Sequence, residues 1–112
     1  MRVIAIADLF GLAGARGELQ VLLATEQQAA VRQPGCRRYV FAEAVGDPDH
    51  FVLVGEWDDQ AALDGHYSSA DFGRFQSSLH GLLARPSELT MYSVSGAARP
   101  LPSAPMDPRD AD

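Results

Sequence analysis

His66 is the residue in this chain whose type and setting best suit chemistry. It closes the run from Gly55 to His66, which also carries Glu56, Trp57, Asp58 and Asp59. A neutral imidazole held near a break in a helix can accept or hold a substrate proton. The competing reading is a histidine that caps the broken helix. Trp57 lies at a strand end, where an aromatic usually packs into a core and can line a cavity as well. Tyr39, Phe41, Tyr67, Phe72 and Phe75 could wall an aromatic cavity, although such a stripe is more often plain core. Arg74 could orient an anionic or phenolate group, or it could be a solvated helix-face cation. Of the other two histidines, His50 follows a turn and His80 lies off the Phe72, Phe75, Leu79 stripe, so both read as solvated.

The elements that must position these residues follow from spacing. Val3 to Phe10 is a β-branched, apolar run whose poor alternation predicts a strand buried on both faces. Gly11 to Gly14 breaks it. Ala15 to Gln33 is rich in helix formers, with Leu19, Leu22, Leu23, Ala29 and Ala30 near one stripe, and Pro34-Gly35 ends it. Cys36 to Val45 alternates, placing Tyr39, Phe41 and Val45 on one side and Cys36, Val40, Ala42 and Ala44 on the other. The turn cluster Gly46 to Asp49 predicts that His50 to Trp57 returns antiparallel. Asp58 or Asp59 can cap the next helix. That helix reads as two pieces, Ala61 to Tyr67 and Ala70 to Ala84, interrupted at Ser68-Ser69. Glu88 to Val94 is the last strand. The order βαββαβ predicts an α+β, ferredoxin-like, four-stranded antiparallel sheet with two helices on one face. The other face would keep apolar side chains, and a patch of that size usually marks an interface.

Composition bounds the function. The chain has 112 residues, 46% hydrophobic and 21% charged, suited to one domain of modest core. All nine basic residues are Arg, so neither lysine Schiff-base chemistry nor a P-loop is available. Net charge is −6, which argues against a nucleic-acid partner. The apolar start is too short to span a bilayer and lacks the flanks of a signal peptide, so no membrane partner and a cytoplasmic location are expected. A lone Cys36 fits that compartment. The domain is expected over 1–95, and 96–112, with Pro100, Pro102, Pro105 and Pro108 among several Asp, reads as a flexible tail or as an arm lying on a partner subunit.

The stretch from Glu56 through Trp57 and Leu63 to His66 resembles the E-W-x-[SD]-x-x-A-L-x-x-H signature of the antibiotic biosynthesis monooxygenase family. The resemblance covers roughly residues 2 to 95. It implies a homodimer in which two sheets pack face to face as an α+β barrel; strand alternation sets Glu56 opposite Trp57, on the barrel side, where Arg37 or Arg38 could pair with it. It implies a cofactor-independent monooxygenase acting on a phenolic or quinol-type aromatic, with His66 as catalytic acceptor and Trp57, Tyr67, Tyr39, Phe72 and Arg74 contacting substrate. A haem-degrading role is disfavoured, because Phe75 and Ala7 fall where that branch carries its axial His and an Asn. The chain has no Asn at all, and Asp71 stands where many quinol-oxidising members carry a second His. No metal or cofactor is expected. The rate would then rise with pH through one ionisation near neutrality. The alternative is a non-catalytic barrel that binds a small hydrophobic ligand or acts as a scaffold; a drug-sized void reaching His66 would favour the enzyme.

Overall fold

The computed structural model describes residues 1–97 and 99–101. The chain forms β1 (Arg2–Phe10), α1 (Arg16–Ala30), β2 (Cys36–Glu43), β3 (His50–Trp57), α2 (Gln60–Tyr67), α3 (Ala70–His80) and β4 (Glu88–Val94). The four strands make one antiparallel sheet in the order β2-β3-β1-β4, and the helices pack on one of its faces. This is the ferredoxin-like α+β fold that the element order predicts. Among the described residues no helix is long and apolar enough to cross a membrane. The tail expected over 96–112 falls mostly outside the described residues.

Burial alternates strictly along β1 and β3. Val3, Ala5, Ala7 and Leu9 of β1, with Phe51, Leu53, Gly55 and Trp57 of β3, face the helices and are buried. Their neighbours Ile4, Ile6, Val52 and Val54 are half-buried on the open face. The expected two-sided burial of β1 is therefore one-sided in the protomer, because no helix reaches the second face. β4 is exposed for nearly all its length; Leu89 and Met91 are on the helix side but half-exposed, and Tyr92 stands on the open face beside Ile4.

Two expectations about β2 are corrected. A register shift between Cys36 and Arg38 sets Cys36 opposite Trp57, so its thiol joins Tyr39 on the helix side rather than the opposite one. An extra residue at such a bulge inverts the alternation before it. Val45 lies beyond the strand end and is fully exposed, because Ala44 already belongs to the turn that closes on His50. Glu56 does stand on the open face, yet it pairs across β1 with Arg2 at 2.9 Å, while Arg37 pairs with Asp58. His50 is not solvated: its Nε2 lies 2.7 Å from an Asp8 carboxylate oxygen and its ring stacks on Phe10.

The break between α2 and α3 is built from serines. Ser69 leaves helical geometry, accepts from the Phe72 amide and donates to the His66 carbonyl, so one hydroxyl serves both helix ends. Asp59 caps α2 through the Ala62 amide at 2.8 Å. Gly35, with φ +79, lets the chain enter β2 where a Cβ would lie only 2.5 Å from that of Ala62.

Candidate functional site

α2 ends with its last turn pressed against the sheet, and that places His66 in the core at 2% exposure. Its ring stacks on Trp57, with centroids 4.8 Å apart, and meets Tyr39 at 5.2 Å, Tyr67 at 5.2 Å and Phe72 at 4.8 Å. These are four of the five residues expected to contact substrate. Nδ1 of His66 faces the side-chain oxygen of Gln33. An amide oxygen can only accept, so Nδ1 carries the hydrogen and Nε2 presents a lone pair. His66 therefore does not cap the helix break with its side chain, since Ser69 already serves that purpose.

Nε2 of His66, the hydroxyl of Tyr39 and Nε1 of Trp57 are all buried and have no hydrogen-bond partner among the described residues. One is an acceptor, one a donor and one both. Each buried polar group left unpaired costs about 1–3 kcal/mol, and three on touching rings concentrate that cost at one place. Gly55 makes the arrangement possible: a Cβ there would stand 3.3 Å from Nε1 of Trp57 and 3.6 Å from the Tyr39 ring. Here glycine supplies space for the indole, and its φ is ordinary.

Burial sets the electrostatics. Desolvation lowers the His66 pKa from 6.5 to about 4, so the ring is neutral at physiological pH. This moves the expected ionisation well below neutrality. Burial also pushes the Tyr39 phenol far up, with Glu26 adding to the rise, and raises that of Tyr67. Both hydroxyls stay protonated and can act as donors.

A cavity of about 90 Å³ lies between sheet and α3, lined by Tyr39, Phe41, Tyr67, Phe72 and Phe75 among others. The five aromatics named from sequence share it. It is smaller than the few hundred Å³ typical of drug-sized sites, and His66 lies behind its walls. The outer edge of His66 lines a separate depression of about 240 Å³ with Gln33, Pro34 and Gly65. Arg74 is not with this cluster. It is exposed, paired with Asp71, and lines a groove between α1 and α3.

Two further residues were not singled out from sequence. Glu26 is buried at 6% exposure, in step with Leu19, Leu23 and Ala30 of α1. That spacing was legible in the sequence, but an acid is not expected in an apolar stripe. Gln33 escaped notice because its contact with His66 spans 33 positions of chain.

The model of the antibiotic biosynthesis monooxygenase family matches residues 2–78. The structure is similar to that of a candidate antibiotic biosynthesis monooxygenase from Deinococcus radiodurans, at 25% identity and TM-score 0.83 over 89% of this chain and 99% of the other. It is also similar to Rv0793 from Mycobacterium tuberculosis, at 27% identity and TM-score 0.81 over 88% of this chain and all of that one. Among curated proteins, an uncharacterised Synechocystis protein, sll1783, is 33% identical over 63 residues, or 56% of this chain. The match spans 43% of that relative's length.

Proposed function

This chain belongs to the antibiotic biosynthesis monooxygenase family, and we propose from that premise that it is a cofactor-independent monooxygenase of phenolic or quinol-type aromatics. The observation that carries the reading is the trio of unpartnered polar atoms on Tyr39, Trp57 and His66. A phenolic substrate admitted past the cavity wall, behind which His66 lies, supplies what they lack: its O–H donates to Nε2 of His66, and its oxygen accepts from Tyr39 or Trp57. The surrounding rings of Tyr67 and Phe72 hold the aromatic body and exclude water.

In this reading the bound phenol loses its proton as its electron-rich ring reduces dioxygen. One oxygen atom enters the ring as a carbonyl and the other leaves as water, so the substrate supplies all the electrons. Magnitudes constrain the role of His66. Moving a proton from a phenol of ordinary acidity, about 10, onto an imidazole at about 4 is uphill by about 8 kcal/mol. His66 therefore orients the hydroxyl and shares its proton as dioxygen is reduced, and does not store a full proton beforehand. Arg74, held by Asp71 on the other side of α3, contacts substrate only after leaving that pair.

The reading includes a homodimer. The open sheet face carries Ile4, Ile6, Val52 and Val54 half-buried, with Val40 at 40% and Tyr92 at 52% exposure. A second copy laid on this face would remove that apolar surface from water. The second reading, a barrel that binds a small hydrophobic ligand without turnover, draws support from the small aromatic cavity of about 90 Å³. Oxygen uptake by metal-stripped protein with a panel of hydroquinones and polycyclic phenols separates the two. Uptake with no added cofactor supports the enzyme, and saturable binding without uptake supports the ligand carrier.

A further inference from the structure

We propose that the groove between α1 and α3 is the outer half of the substrate pocket, and that Glu26 in its wall takes the second hydroxyl of a quinol as hydrogen-bond and proton acceptor. This deepens the monooxygenase reading and rests on it. The groove holds about 280 Å³ and is lined by Leu22, Ala29, Phe75 and Ser78 beside Glu26. Phe75 also lines the inner aromatic cavity, so the two spaces meet at one side chain, and in this proposal a turn of the Phe75 ring joins them.

Glu26 is more than nine-tenths buried and makes no hydrogen bond or ion pair with the described residues. The nearest cation in the groove, Arg74, is committed to Asp71. Its carboxylate borders the groove and is only partly solvated there, so a hydroxyl donor entering from the groove would replace the water it lacks. Both acceptors neighbour one tyrosine: the His66 ring touches Tyr39, and the charge of Glu26 is felt at the Tyr39 hydroxyl. A ligand with one hydroxyl at each end suits two acceptors placed around one ring. The groups facing Glu26 are Asp71 and Arg74 of α3 and Tyr39 of β2, with Cys36 beyond Tyr39.

Burial, and then Asp71, raise the Glu26 pKa from 4.5 to about 7. Against His66 at about 4, Glu26 is about a thousandfold the better proton acceptor at equilibrium. The step is a proton transfer in which the quinol O–H breaks, the carboxylate gains the proton and a quinolate remains, unfavourable by about a thousandfold against about a millionfold for His66.

Hydroquinone under anaerobic conditions is the probe, and fluorescence of Trp57, the sole tryptophan, is the readout. Hydroquinone stays neutral between pH 5.5 and 8.5, its acidity being near the phenol value of about 10. Wild-type protein should bind it saturably, about tenfold more tightly at pH 8.5 than at 5.5, because the ionised Glu26 carboxylate is a much stronger acceptor than the neutral acid. Glu26→Gln should flatten that dependence and bind at the weaker level throughout. Ala29→Phe, at an exposed position of the groove, should abolish binding without changing melting, and it gives the answer if Glu26→Gln fails to fold. Binding that ignores pH in the wild type, equals it in Glu26→Gln at pH 8.5, survives Ala29→Phe, or is not saturable at millimolar ligand contradicts the proposal. Glu26-dependent binding with no oxygen uptake would overturn the monooxygenase reading alone.

Discussion

The two faces of the sheet carry opposite deficits. On the helix side the apolar groups are satisfied and three polar atoms, on Tyr39, Trp57 and His66, are not. On the open side two ion pairs, Arg2 with Glu56 and Asp8 with His50, satisfy their partners, while the aliphatic side chains between them stay half-exposed. Unpaired polar atoms in a core are answered by a small polar ligand, and uncovered apolar surface is answered by another protein surface. In the function proposed above, the contrast gives substrate to one face and assembly to the other.

The sharpest way to break that assignment is to disturb one face and read the other. His66→Phe keeps an aromatic ring on Trp57 but removes Nε2; turnover should fall by about a hundredfold or more while the dimer persists. His66→Ala is a poorer probe, since a fully buried ring leaves a cavity that costs stability itself. Conversely, Val54→Arg puts a charge in the middle of the open face and should give a monomer at micromolar concentration by light scattering, with Trp57 fluorescence unchanged. A dimer that survives Val54→Arg would mean that this face is not the interface.

Smaller effects sharpen the electrostatics of the helix side. Glu26 has a folded pKa of about 7 against 4.5, so the native state holds its proton longer than the unfolded chain does. Its contribution is therefore fully present below pH 4.5 and lost as pH rises to about 7. Glu26→Gln should be more stable than wild type at pH 8 by about 2 kcal/mol, discounted for the opening to the groove, and equal to it near pH 4.5. Denaturant melts at the two pH values check this. His66 runs the other way: its pKa is depressed to about 4, so stability falls as pH drops from 6.5 towards 4. Replacing it with Phe should remove that acid sensitivity. Gly55→Ala is expected to cost about 1 kcal/mol, because the new methyl group crowds Nε1 of Trp57, and to shift Trp57 emission.

The faces differ as much in how legible they were in the sequence. Strand and helix order, the serine break and the Glu88–Val94 strand follow from local spacing and turn chemistry, and the structure places them within a few residues of expectation. The aromatic cluster was readable for the same reason, since Tyr39, Trp57, Tyr67 and Phe72 each occupy a core-facing phase of their own element. What escaped depends on contacts between distant segments. Gln33 on His66, Arg2 on Glu56 and Asp8 on His50 join positions 33 to 54 residues apart. The thiol of Cys36 changed sides through a bulge that no pattern marks. Glu26 was hidden for a different reason: its spacing is that of a core residue, and its chemistry is not.

The central claim is that the unpartnered atoms around His66 form a site for phenolic chemistry. Oxygen uptake measures it most directly, comparing metal-stripped wild type with His66→Phe on one hydroquinone panel. Cofactor-free uptake in the wild type, reduced about a hundredfold or more in a variant that still folds and dimerises, is the predicted result. Equal rates in the two proteins, or no uptake from any phenol, would contradict it.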